Sequence, residues 1–196
     1  CGGHNGTVPM GTGQARALDW AKNLHPRLLL TKGEQERLRG VLDGSHKFLW
    51  ERFLKELPAR IEASKQPFGE ELNRGHADLA PDLCFAWAMT GSPEHFTIAR
   101  DYLLRLTRGP EWNPLDDLIH GHLLQCMALS YDFLYQALTP DERREVATRL
   151  GRECESEYQR MTTGHVWYRN QYFQNHAHSN FSGLAYAACA LYGQDE

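Results

Sequence analysis

The sequence LAPDLCFAWAMTGSP, residues 79–93, contains the signals that decide the fold. Residues 79–89 are apolar on nearly every side of a helix, and such a helix is buried on every side. Gly91 ends this helix, and Ser92 followed by Pro93 is a typical start for another one. The stretch therefore predicts a buried helix that a short turn joins to a second helix.

The same alternation continues along the chain. Predicted buried helices at 79–89, 115–138 and 176–193 alternate with amphipathic, charged helices at 93–108 and 140–161. No stretch shows a convincing strand alternation, and a four-helix bundle would give every helix a similar apolar stripe. We therefore expect an all-α fold of helical hairpins with inner helices ringed by outer ones, as in an incomplete (α/α) toroid.

Length and composition limit what the chain can be. It has 196 residues, of which 41% are hydrophobic and 23% charged, as is typical of one globular domain. The net charge of −4 gives no overall field for nucleic acid, and no apolar run approaches the roughly 20 residues of a membrane span. The sequence contains neither a C-x-x-C pair nor an H-E-x-x-H motif, so we expect no metal site and no cofactor.

The beginning of the chain differs in composition from the rest. Residues 1–25 are rich in glycine and are expected to form a leader or linker arm, with the helical domain at 26–196. Cys1 before two glycines fits a bacterial lipoprotein whose signal peptide has been removed, with a lipid anchor at Cys1. That interpretation implies a periplasmic, secreted or outer-surface location; the other interpretation of Cys1 is a fragment boundary.

The densest group of amide, imidazole and aromatic side chains is WYRNQYFQNHAHSN, residues 167–180. It leads into the last predicted buried helix, where side chains can face a cavity. Ordinary capping by Asn175 or Ser179 is the alternative explanation for these polar residues. Trp112 and Trp167 both lie in loops beside polar residues, either as sugar-stacking platforms or as loop anchors.

The predicted helix at 115–138 contains two histidines close to its start. His120 and His122 are two residues apart, so on a helix they point about 200° away from each other and cannot chelate one ion. We expect each to be a hydrogen-bonded histidine in the core or in a cleft, and we expect Asp132 to be satisfied locally. Three cysteines among apolar residues are expected to be buried thiols: Cys84, Cys126 and Cys189.

Three motifs in this order resemble the heparinase II/III-like polysaccharide lyases and the related dermatan sulfate epimerases. The first is HPRLLLT at 25–31, and the second is ALSYDFLY at 128–135 with LTPDER at 138–143. The third is the step from Asn175 to His176 ahead of a helix rich in small residues. The resemblance extends from about residue 25 to residue 193.

This resemblance implies an (α/α) toroid followed by a β-sheet domain, acting on acidic polysaccharides that contain uronic acids. The reaction it implies is β-elimination, in which a base removes the C5 proton of the uronate and the bond from C4 to the bridging oxygen breaks. Asn175 and His176 match the position that neutralises the uronate carboxylate, and His176 could also act as the base. The remaining expected substrate contacts are Trp112, His122, Trp167, Arg169 and Asn180.

The family's tyrosine acid/base and a second histidine are expected beyond residue 196, so the chain alone is expected to be inactive. The sequence is also compatible with two other functions. One is a uronate C5-epimerase that reprotonates the same intermediate, and the other is a non-catalytic glycan-binding module.

Overall fold

A computed structural model describes residues 24–113, 115–164 and 166–193, and this part of the chain contains helices and no β-strand. The all-α prediction is therefore confirmed for the described residues. Two short 3-10 helices follow the fifth helix and precede the seventh, at Tyr135–Ala137 and Trp167–Asn170. The α-helices of this part are α1 Lys32–Leu42, α2 Lys47–Ser64, α3 Arg74–Thr90, α4 Pro93–Arg108, α5 Asp117–Leu134, α6 Pro140–Thr162 and α7 Asn175–Leu191.

Capping residues set most helix boundaries where the sequence predicts them. Ser92 accepts a hydrogen bond from the backbone N–H of His95, and α4 occupies the predicted residues 93–108. Thr139 and Glu142 form a capping box at the start of α6. Gly91 ends α3 with a φ of 66°, in the left-handed region that favours glycine.

Helices α3, α5 and α7 run parallel to one another. Near the start of α3 and α5, Arg74 Nε lies 3.0 Å from His122 Nε2, and further along both helices Cys84 Sγ lies 3.9 Å from the carbonyl oxygen of Ser130. The first turns of α5 and α7 are also in contact. The N-terminal ends of α3, α5 and α7 therefore lie along one edge of the molecule, which we call the N-terminal edge.

Helices α4 and α6 form a second layer behind these three. They are parallel to each other, because Arg100 in the middle of α4 pairs with Glu142 in the first turn of α6, and Arg149 further along α6 donates to the carbonyl oxygen of Thr107 near the end of α4. The polypeptide reverses direction between α3 and α4, since Phe96 early in α4 contacts Trp87 late in α3, whereas Tyr102 further along α4 donates to His76 at the start of α3. It reverses again between α5 and α6, where His120 in the first turn of α5 lies against Glu153 in the second half of α6. The two layers agree with the predicted inner and outer helices, and closure into a toroid stays a prediction.

The centre of the core is α5, which contacts α3, α4, α6 and α7. It is buried along almost its whole length, including Leu123, Leu124, Met127 and Leu134. Because four elements pack around it, α5 holds the relative positions of the side chains that project from its two ends.

The predicted complete burial of the last helix is wrong. One face of α7 is buried against α5 and α6, whereas Phe181 and Cys189 on the opposite face are exposed. The buried face is made of small residues, and Gly183 meets Gly121 of α5 backbone to backbone. The small residues therefore serve one close helix contact rather than packing on several sides.

The segment before α1 is part of the folded unit. Asp132 of α5 accepts hydrogen bonds from the backbone N–H groups of Arg27 and Leu28, at 2.9 Å for the shortest bond to each, and its Oδ1 lies 2.6 Å from His25 Nδ1. These contacts correct two predictions. Asp132 is satisfied by a segment more than 100 residues away and not locally, and His25 is buried and not part of an arm. Residues 1–23 of the expected arm at 1–25, with Cys1, lie outside the described residues.

Candidate functional site

The candidate site lies where the first turns of α5 and α7 meet at the N-terminal edge. His176 is the second residue of α7, and its Nδ1 lies 2.8 Å from Oδ1 of Asp117, the first residue of α5. A carboxylate accepts hydrogen bonds and does not donate them, so Nδ1 is the donor. In the neutral ring Nε2 then has the lone pair. The side chain of His176 is 25% exposed, so the ring is open to a ligand.

Two aromatic residues of the short helix Trp167–Asn170 flank His176. The ring of Trp167 lies edge-on to the imidazole with 4.8 Å between centroids, and Trp167 is 60% exposed. The ring of Tyr168 lies on the buried side, with 6.2 Å between centroids. Trp167 therefore forms an exposed aromatic wall of the site, and Tyr168 forms its floor.

A buried polar network fixes this floor. The hydroxyl of Tyr168 donates to Glu157 Oε1 over 2.9 Å, and Glu157 Oε2 lies 3.2 Å from His120 Nδ1. The other ring nitrogen of His120 lies 3.3 Å from Glu153 Oε2. Burial raises the pKa of Tyr168, so its hydroxyl stays protonated and remains a donor.

The charges in this network stabilise one another. Burial alone would lower the pKa of His120, but its hydrogen bonds to Glu153 and Glu157 outweigh burial and raise it. Burial would raise the pKa of both carboxyl groups, and here the hydrogen bonds with His120 are the main reason that both pKa values are lowered instead. His120, whose pKa is raised, therefore lies between two carboxyl groups whose pKa values are lowered, and this contact joins α5 to α6 directly beneath the site.

The backbone adds donors at the same place. Asn175, the first residue of α7, is exposed, and neither Gln174 before α7 nor Asp116 before α5 makes a side-chain capping bond. The first N–H groups of a helix have no partner within it and carry the positive end of the helix dipole. Both helices therefore direct donors for an anionic group toward this edge.

Two residues predicted to bind substrate are not available for that role. Trp112 is only 4% exposed: its ring lies edge-on to His120 at 5.5 Å, and the guanidinium of Arg149 lies over its face at 5.2 Å. It is a loop anchor and not a stacking platform. Asn180 is fully buried against Gly121, and its amide donates to the carbonyl oxygen of His176 over 2.9 Å. Asn180 therefore supports the first turn of α7 from inside.

The remaining predicted residues fall into two groups. Trp167 and His176 are in contact, Asn175 is the exposed residue directly before His176, and Arg169 is exposed in the short helix with its guanidinium beside Gly164. His122 lies on a different side of α5 from Asp117 and faces α3. The prediction that His120 and His122 point in different directions is confirmed, since His120 faces α6.

The sequence reasoning missed Asp117 and Tyr168 as parts of the site. Asp117 follows Asp116 at the start of a predicted helix, where an acidic residue normally interacts with the helix dipole. Tyr168 lies in a stretch with three other aromatic residues, and nothing in the sequence shows that Tyr168 is the buried one. Asp117 begins α5, and Tyr168 lies in the short helix that ends five residues before α7, so neither position is marked by a local sequence signal.

Neither a metal site nor a match to a known protein identifies the function of this site. No group of three or more histidine, cysteine, aspartate or glutamate side chains in the described ranges could hold a metal ion. Within the same ranges, no helix combines the length and apolar character needed to cross a membrane. No protein-family model matches the sequence, and no curated protein matches it either.

Proposed function

We propose that this chain carries part of the active site of a polysaccharide lyase that cleaves uronic-acid polysaccharides by β-elimination. The observation that supports the proposal best is the hydrogen bond between His176 and Asp117, because it orients an accessible imidazole at an edge rich in hydrogen-bond donors. Trp167 adds an exposed ring on which a sugar can stack beside that imidazole. The sequence resemblance to heparinase II/III-like lyases supplies the reaction.

The chemical difficulty is the C5 proton of the uronate, which is weakly acidic because the adjacent carboxylate is already negative. The amide of Asn175 and the first N–H groups of α7 can donate to that carboxylate as charge develops on it. His176 Nε2, with Nδ1 occupied by Asp117, accepts the proton from C5. The electron pair of the C5–H bond forms the C4–C5 double bond, and the C4–O bond breaks.

The bridging oxygen leaves with the electron pair of the broken C4–O bond and takes a proton from a general acid. By the resemblance, this acid is a tyrosine beyond residue 196. Tyr168 is not suited to that role, because it is buried and its hydroxyl donates to Glu157. Its part in the proposed site is to hold the short helix that presents Trp167.

The test uses the full-length protein with alginate, heparan sulfate, chondroitin sulfate and hyaluronan, and measures the ultraviolet absorbance of the unsaturated uronate. His176→Ala should lower kcat by about 10²- to 10⁴-fold through loss of the acid–base group. His178→Ala is the matched control, since His178 is exposed on the same helix two residues away. Equal activity of both variants and the wild type would remove His176 from the mechanism.

Other outcomes of the same experiment identify the competing functions. Exchange of the C5 proton with solvent deuterium, without cleavage of the chain, would indicate an epimerase. Binding of an acidic polysaccharide with neither exchange nor cleavage would indicate a glycan-binding module, and in that case Trp167→Ala should weaken binding while His176→Ala should not.

A further inference from the structure

A second cluster of polar side chains lies along the N-terminal edge, one helix away from His176. Arg74, the first residue of α3, places its Nε 3.0 Å from His122 Nε2 of α5. The same nitrogen of His122 lies 3.2 Å from Oδ1 of Asp78, one turn further along α3. Arg74 and Asp78 are exposed and His122 is half-buried, so this cluster faces solvent.

We propose that Arg74, together with His122, is a second anion-binding subsite that holds the carboxylate or sulfate group of another sugar of the same polysaccharide. This inference rests on the proposed function. It makes Arg74 a substrate-binding residue and gives the substrate a direction, along the N-terminal edge from α7 across α5 to α3.

The charge pattern favours Arg74 for this role. Among the described residues, Arg74 forms no ion pair with a carboxylate, whereas Arg108 and Arg160 pair with Glu145 and Glu157. Its contact with His122 uses Nε, so the two terminal nitrogens are left to bind an anion. A guanidinium presents such donors in a planar fork that matches a carboxylate or a sulfate.

The geometry favours a polymer over a single sugar. Packed helices lie about 8–10 Å apart, so the cluster on α3 and α5 is about one helix spacing from the pair on α5 and α7. One sugar ring does not reach from one cluster to the other, but a short oligosaccharide does. The negative charge of Asp78 beside His122 repels a free anion. We therefore expect the subsite to bind only a polysaccharide that is already bound at His176.

The variant that tests the subsite is Arg74→Gln in the full-length protein. Arg37→Gln is the matched control, because Arg37 is an exposed arginine within α1 and does not lie at the N-terminal edge. Calorimetry measures the Kd of each protein for a long polyuronate, for its disaccharide and for neutral dextran. Unfolding in urea confirms that both variants are as stable as the wild type.

Loss of a charged hydrogen bond predicts that Arg74→Gln weakens binding of the polyuronate about ten-fold and leaves the disaccharide unchanged. Arg74→Lys should recover part of the affinity, and in active protein the loss should appear in KM and not in kcat. Equal affinity of Arg74→Gln and Arg37→Gln for the polymer would overturn the subsite. Equal weakening for polymer and disaccharide would also overturn it, since the two clusters would then not be separate.

The outcomes for the subsite and for the lyase are distinguishable. Wild-type protein that binds the polyuronate without cleaving it refutes the lyase, and the comparison of Arg74→Gln with Arg37→Gln still decides the subsite. Wild-type protein that binds none of the acidic polysaccharides refutes both.

Discussion

The contact between α5 and α7 provides a quantitative test of how the site is held. Gly183 of α7 packs on the backbone of Gly121, and a Cβ at Gly183 would lie 3.1 Å from the carbonyl carbon and 3.2 Å from Cα of Gly121. Its distance to the carbonyl oxygen of Gly121 would be shorter than 3.0 Å, and real Cβ atoms almost never come that close to another heavy atom. Backbone cannot rotate aside as a side chain can, so Gly183→Ala must move α7 away from α5.

The expected cost follows from two opposing effects. Forcing an additional methyl group into a packed contact costs about 1–3 kcal/mol, and replacing glycine by alanine within a helix returns up to about 1 kcal/mol. We therefore expect Gly183→Ala to lower the free energy of unfolding by up to about 2 kcal/mol, and to be less stable than a variant that has only the gain in helix propensity. The same displacement should lengthen the 2.8 Å bond between His176 and Asp117 toward or past about 3.2 Å, the upper limit for a normal N–H···O bond.

Urea-induced unfolding followed by circular dichroism measures the cost, with Gly33→Ala as the control. Gly33 lies within α1 and a Cβ there would meet nothing within 4 Å, so this variant should gain stability from helix propensity alone. A Gly183→Ala protein as stable as Gly33→Ala would refute the close backbone contact. In that case the position of His176 would also need another explanation.

Three further predictions concern stability and accessibility. Asp132→Ala removes a charged acceptor from two backbone N–H groups and should cost about 3 kcal/mol in urea-induced unfolding; a cost below about 1 kcal/mol would contradict this. The folded state raises the pKa of His120, so its contribution to stability is complete below about pH 6.5 and is lost as the pH rises through the folded value. The difference in unfolding free energy between wild type and His120→Gln should therefore shrink as the pH rises above about 6.5. A difference that does not change with pH would exclude the ion pairs of His120 with Glu153 and Glu157. Native protein treated with maleimide should be modified at the exposed Cys189, as measured by mass spectrometry. Cys84 and Cys126 should react far less, because burial raises the pKa of both thiols to about 12, and equal modification of all three would contradict their burial.

Helix limits were predictable from the sequence wherever a local signal defines them. Ser92 with Pro93 and Thr139 with Pro140 start their helices where expected, because capping depends on residues within four positions of each other. The all-α class and the alternation of buried with charged helices follow from periodicity in the same way.

Contacts between distant residues were not predictable, because periodicity does not show what a side chain meets. Glu153 and Glu157 fit the pattern of a charged outer face of α6, yet they are buried against His120. Trp112 and Trp167 have similar polar neighbours in sequence, and only the packing of one against His120 separates them. The proposed roles of Asn175 and His176 come from resemblance, and the structure adds the partner Asp117 that no local pattern indicates.

The bonds between the N-terminal segment and the rest of the molecule have a consequence for folding order. Arg27 donates through its backbone to Asp132 and through its side chain to the carbonyl oxygens of Ala190 and Tyr192, and each of these bonds closes a loop of more than 100 residues. Closing such loops costs chain entropy that local helical contacts do not incur. During synthesis this segment leaves the ribosome well before its partners exist. The segment is therefore synthesised early, but its hydrogen bonds form only after α5 and α7 have been synthesised.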